Sequence, residues 1–127
     1  MPIRASGFHL PSGARAVRAD CTGVMNQEEA EAWVRQIDPG GPFSDIPILI
    51  DTVGLDRVTP EARALFGRRG DEVMQPHAWM ALVVTNPVIR VATNFVMRMS
   101  GTRKMRLFAN EGEAIRWLDE QLAQMKR

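Results

Sequence analysis

Two short apolar runs, Ile46-Pro-Ile-Leu-Ile-Asp51 and Ala78-Trp-Met-Ala-Leu-Val-Val84, constrain this chain more than any other feature. Continuous runs of this kind suit strands covered on both faces, as in parallel sheets. Each run is followed by a helix start. Thr59-Pro60-Glu61 offers a capping hydroxyl, a proline at the first helical position and an acid that complements the helix dipole. Asn86-Pro87 repeats the cap-plus-proline logic. A buried strand leading into a capped helix, twice over, predicts a mostly parallel sheet with right-handed helical crossovers.

The remaining segments extend this pattern. Ala14–Asp20 mixes Ala and Val with Arg15 and Arg18 and reads as a strand with one wet face. Phe8-His9-Leu10 reads as a weaker strand joined to it by the turn Pro11-Ser12-Gly13, giving an edge hairpin. Asn26-Gln27-Glu28-Glu29 has the form of a capping box, and Ala30, Trp33, Val34 and Ile37 follow at helical spacing until Asp38-Pro-Gly-Gly-Pro42 stops the helix. The second helix takes its apolar side from Ala62, Leu65 and Phe66, and Gly67 and Gly70 weaken its end. The third runs from about Val88 to Met99 and ends at Ser100-Gly101. Lys104–Phe108 alternates and reads as a strand. Asn110–Glu113 is a second capping box, and Ala114, Ile115, Leu118, Leu122 and Met125 form the stripe of the last helix. The predicted fold is α/β: about five strands in a mixed, mostly parallel sheet with four helices, in the order β-β-α-β-α-β-α-β-α.

Composition narrows the function classes. At 127 residues the chain is expected to form one domain, since domains run to roughly 100–200 residues. Apolar residues are 45% and charged residues 24%, ordinary for a globular protein. Sixteen basic and fifteen acidic residues leave a net charge of +1, so no nucleic-acid partner is expected. The single cysteine, Cys21, excludes an internal disulfide framework. No run reaches the roughly 18 apolar residues of a membrane span, and the N-terminus lacks the apolar core of a signal peptide. A cytoplasmic protein is expected.

Four stretches carry a resemblance. They are Cys21-Thr-Gly-Val24 before a capped helix; Pro47-Ile-Leu-Ile-Asp51 followed by Thr59-Pro-Glu-Ala62; Ala81-Leu-Val-Val84 before a helix with spaced Arg and Phe; and Arg106-Leu-Phe108 with Ala114-Ile-Arg-Trp-Leu118. In this order, from about Ala14 to Leu122, the chain resembles the SpoIIAA-like branch of the STAS fold, the domain of anti-sigma-factor antagonists and sulfate-transporter tails. The resemblance implies a non-enzymatic, bacterial regulatory or protein-interaction module. In the antagonists a serine at the start of the second helix, after an Asp, is phosphorylated by a partner kinase. Aligned from Asp51, that place falls at Thr59-Pro60. The Asp-Ser pair is absent and Pro60 stands where the acceptor would be, so the phospho-switch does not carry over directly. The SpoIIAA-like fold is also similar in outline to the Sec14 lipid-transfer domain, which implies a second reading: a small apolar-ligand or lipid-binding domain with a pocket beside the third helix.

Candidate residues follow. Thr59 is the regulatory candidate, because a phosphate at a helix start meets free N–H groups; its bland reading is a cap, and Asp51, Asp56 and Glu61 would repel a phosphate. Asp51, Thr52, Thr85 and Asn86 follow strands and are candidates for a ligand rim, since ligands in open α/β sheets sit beyond the carboxyl ends of the strands. The bland reading is that they cap helices and hold loops. His9 and His77 lack partners at metal or catalytic spacing, and Cys21 reads as a core or strand-end thiol. Neither Asp38–Pro42 nor Gly67-Arg-Arg-Gly70 has the context of a phosphate-binding loop, and no G-x-S-x-G is present. With no catalytic constellation, no enzyme, cofactor or metal is expected.

Charge is unevenly placed. Val73–Asn110 contains no acid but holds Arg90, Arg98, Arg103, Lys104 and Arg106, whereas residues 1–72 hold 8 basic and 11 acidic residues. The third helix is apolar on two sides. Val88, Val91, Ala92, Phe95 and Met99 form one stripe, expected to face the core. Ile89, Val96 and Met97, flanked by Arg90 and Arg98, are then expected to form an exposed interaction surface. That surface supports a homodimer or a protein partner, and Ile89→Glu with Val96→Glu is expected to give a folded monomer.

Overall fold

The computed structural model describes residues 3–73, 75–101 and 103–125, and within helix 60–73 no side chain beyond residue 68 is described. The elements in chain order are β1 (Ile3–His9), β2 (Arg15–Met25), α1 (Gln27–Ile37), β3 (Ile48–Val58), α2 (Pro60–Val73), β4 (Met80–Val83), α3 (Pro87–Ser100), β5 (Met105–Phe108) and α4 (Glu111–Met125). The five strands form one sheet in the order β1-β2-β3-β4-β5. β1 is antiparallel to β2 and all later pairs are parallel. This is the predicted element order and sheet type.

Strand alternation divides the core into two layers. Val17, Ala19, Ile48, Ile50, Met80 and Leu82 face one way and pack with Ala30, Trp33 and Val34 of α1, Ala62 and Leu65 of α2, and Ile89 of α3. Ala16, Leu49, Ala81 and Val83 face the other way and pack with Ala114, Trp117 and Leu118 of α4. Three crossover helices therefore share one face and α4 covers the other. Trp117 anchors α4, with its ring edge-on to Trp79 at 5.7 Å. The β1–β2 turn is tied to α4 where the Ser12 hydroxyl donates to Asp119 at 2.6 Å.

The expected caps form. Asn26, Asn86 and Asn110 each accept from a first-turn backbone N–H at 2.9 Å. The Thr59 hydroxyl accepts from Ala62 N at 3.2 Å. Gly101 ends α3 at φ 67°, in the left-handed region that glycine adopts without penalty. The largest departure is the length of the central strands. β2 continues past Asp20 to Met25, and β3 past Asp51 to Val58. The added halves pair with each other through two register shifts, beyond the last residue of β4 that pairs with β3. Thr52-Val-Gly-Leu-Asp-Arg-Val58 reads as a loop because of its glycine and charges. In the structure Gly54 lets β3 approach β2 closely: a Cβ there would lie 2.9 Å from Thr22 Cγ2.

Candidate functional site

α3 is where sequence and structure part most sharply. Ile89 is 0% exposed and Val96 7%, whereas Val88 is 63%, Val91 66%, Phe95 46% and Met99 50% exposed. Ala92, expected to face the core, does so at 6% exposed; otherwise the two sides of the helix are exchanged relative to expectation. Ile89 and Val96 belong to the core and are not available as a surface. Both rows keep helical spacing, so periodicity alone does not choose between them. The choice follows side-chain size. Ile89, Val96, Ala92, Thr93 and Ser100 present a face with three small residues, which seats closely on the sheet and α2. The hydroxyls of Thr93 and Ser100 are satisfied on this face by donating back to Ile89 O at 3.0 Å and Met97 O at 3.2 Å. Met97 is half-buried, and Arg90 and Arg98 are exposed.

The uncovered stripe of Val88, Val91, Phe95 and Met99 runs the length of α3 beside α2. Two contacts set its border. Arg63 of α2 lies over the Phe95 ring, 5.7 Å from its centroid. Gly67 of α2 sits against Met99, where a Cβ would come 2.5 Å from Sδ. Beside the start of α2 lies an open groove of about 610 Å³, lined by Arg57, Thr59, Glu61 and Arg63 together with Val88 and Val91 of α3. The groove thus holds Thr59 with two arginines, which a reading limited to the neighbouring acids Asp51, Asp56 and Glu61 leaves out.

Asp51 lies elsewhere. It is on the α4 face, where Arg18 binds three carboxylates: Asp20 through Nε at 3.0 Å, Asp51 through Nη2 at 3.0 Å, and Glu111 through Nη1. The other Asp51 oxygen accepts from Val53 N at 2.9 Å. Thr52, one residue on, points to the opposite face and donates to Val83 O at 2.6 Å. Asn86 is spent on the α3 cap and Thr85 is exposed. The four rim candidates are therefore not brought to one pocket.

Beneath α3 lies a cavity of about 100 Å³ with an almost wholly apolar lining that includes Cys21, Trp33, Leu82, Ala92, Thr93 and Val96. Burial, and then the charges of Asp20 and Asp51, push the Cys21 thiol up to about 12, so it stays protonated and unreactive at neutral pH. Among the described residues, no group of three or more His, Cys, Asp or Glu is placed to hold a metal ion. No helix among them is long and apolar enough to cross a membrane.

Comparison with known proteins fits this geometry. A family model described as "Domain of unknown function (DUF7793)" matches residues 21–122. No curated protein matches the chain. Among solved structures, the chain is similar to an uncharacterized DUF3478-family protein with a SpoIIAA-like fold from Shewanella loihica PV-4. The TM-score is 0.65 at 15% identity, over 91% of this chain and 93% of that one. It is also similar to the anti-sigma factor antagonist SpoIIAA in its unphosphorylated form. There the TM-score is 0.60 at 17% identity, over 92% of this chain and 97% of that one. The fold is SpoIIAA-like, as the sequence motifs imply.

Proposed function

The chain belongs to the DUF7793 family, and we propose that it is a non-enzymatic regulatory module that binds a protein through α3 and the start of α2. One observation carries this reading: four large apolar side chains, Val88, Val91, Phe95 and Met99, form a continuous exposed stripe beside an open groove. Contiguous apolar surface of this kind marks interaction sites in soluble proteins. The occupant is a partner protein or a second copy of the chain. The SpoIIAA-like fold, shared with an anti-sigma factor antagonist, supports a regulatory role. In this reading Thr59 is a helix cap rather than a phospho-switch, and Pro60 stands where the antagonists carry their acceptor.

The alternative of a small apolar or lipid ligand rests on the cavity under α3. At about 100 Å³ it is well below the roughly 300–1,000 Å³ of ligand pockets, which favours the interaction reading. Native mass spectrometry of protein purified from its own host, wild type beside Val91→Glu/Phe95→Glu, tests the proposal. The wild type is expected to retain a protein partner or a second copy that the variant loses. A retained small molecule in both, with no protein bound, would instead support the ligand reading.

A further inference from the structure

We infer that the partner seated on this face is an amphipathic helix whose apolar stripe is flanked by acidic side chains; this rests on the docking reading above. Shape comes first. The stripe from Val88 to Met99 covers about three helical turns, roughly 16 Å, and its first two residues, Val88 and Val91, also line the groove at the start of α2. A groove of this form is filled by the side chains of a helix laid along it, through anchors spaced three and four residues apart. A flat bilayer surface does not fill it.

Charge then selects the flanks. Arg57 near the end of β3 and Arg63 on α2 line the groove, and Arg98 lies one turn beyond Phe95 on α3. None of the three forms an ion pair among the described residues. Against them the groove holds one acid, Glu61, with Asp56 exposed next to Arg57, and Val73–Asn110 contributes no acid at all. A second copy would meet these three arginines with its own three and a single Glu61. Like charges facing across an interface suppress that pairing, whereas an acidic flank is drawn in.

The test selects from a displayed library of amphipathic helices with a fixed apolar stripe and randomised flanks. Selection is on the wild-type chain, with counter-selection on Val91→Glu/Phe95→Glu. Binders that need the face are expected to carry acidic flanks. In fluorescence anisotropy they should weaken about tenfold or more on Arg57→Glu/Arg98→Glu and also at high salt. Face-dependent binders with neutral or basic flanks, or binders indifferent to the charge reversal, would overturn the acidic partner and leave the docking face standing. Face-dependent binding only to phosphatidylcholine–phosphatidylglycerol vesicles would replace the helix with a membrane. A concentration-dependent dimer in sedimentation, abolished by Val91→Glu/Phe95→Glu, would replace it with a second copy. No face-dependent binding of any kind would overturn the docking reading itself.

Discussion

Gly67 shows how one residue's role depends on a distant one. Its place in the sequence reads as a weak point near the end of a helix, yet α2 continues through it to Val73. The missing side chain leaves room for Met99 of α3, which no local pattern reveals. Gly67→Ala gains about 1 kcal/mol of helix propensity but drives a Cβ against Met99. In the wild-type background the substitution is expected to be destabilising. Met99→Ala removes Sδ and Cγ but leaves a Cβ 2.9 Å from the added methyl, so in that background Gly67→Ala should still destabilise, though less, as a double-mutant cycle in urea will show. Asp45 is a second such residue. It has φ 55° and accepts from His77 N at 2.8 Å and Nδ1 at 3.1 Å. Slight burial works to raise its carboxyl, but the two bonds from His77, with the charges of His77 and Lys104, outweigh this and its pKa falls. A lowered carboxyl stabilises the fold above the unfolded value, about 3.9, and loses that effect as pH drops through the folded value. Asp45→Asn, which tolerates the left-handed backbone, should lower the urea midpoint slightly at pH 7 and converge with the wild type in strong acid. The pair is half-exposed, so the effect stays within about 1 kcal/mol.

At the scale of elements, α3 gives the clearest test of which side is core. Ile89→Glu with Val96→Glu is now expected to cost about 4 kcal/mol or more, since it places two charges in the packed layer, and to give an unfolded or aggregated chain rather than a folded monomer. Val91→Glu with Phe95→Glu should leave thermal unfolding nearly unchanged, within about 1 kcal/mol. Equal damage from both pairs would mean that both sides of α3 are core. The capped helix starts at Asn26, Thr59, Asn86 and Asn110 were legible because caps and prolines act within one turn. The facing of α3 was not, because two apolar stripes fit one helix and tertiary packing chose between them. The far halves of β2 and β3 were missed for a related reason. Gly54 and the charges after it signal a loop locally, while pairing with Thr22–Met25 overrides them.

Across the whole molecule, element order and sheet type were legible and the candidate site only in part. Strand alternation alone already sets Asp51 and Thr52 on opposite faces, so a shared rim was excluded in principle from the sequence. What the sequence did not show is that Arg18 gathers Asp20, Asp51 and Glu111 from two strands and a helix, because these partners lie up to 93 positions away. Arg18→Met keeps much of the stem and removes the charge. Of the three carboxylates left clustered, only Asp51 is largely buried while Asp20 and Glu111 are close to half exposed, so the change should cost about 1 kcal/mol in urea unfolding at pH 7. An unchanged midpoint would show that the cluster is only a solvated surface network. The sheet order carries one more consequence. Because every strand lies beside its successor in the chain, a polypeptide emerging from the ribosome can add each strand to a finished neighbour, with no early strand waiting for a late one. α1, α2 and α3 arrive between strands and shield one side as it grows. The other side, with Leu49, Ala81 and Val83, stays bare until α4 is made. Synthesis therefore passes through a stage when all five strands are made and one apolar side is open. A nascent chain halted between Phe108 and Trp117 is then the form of this protein most in need of a chaperone.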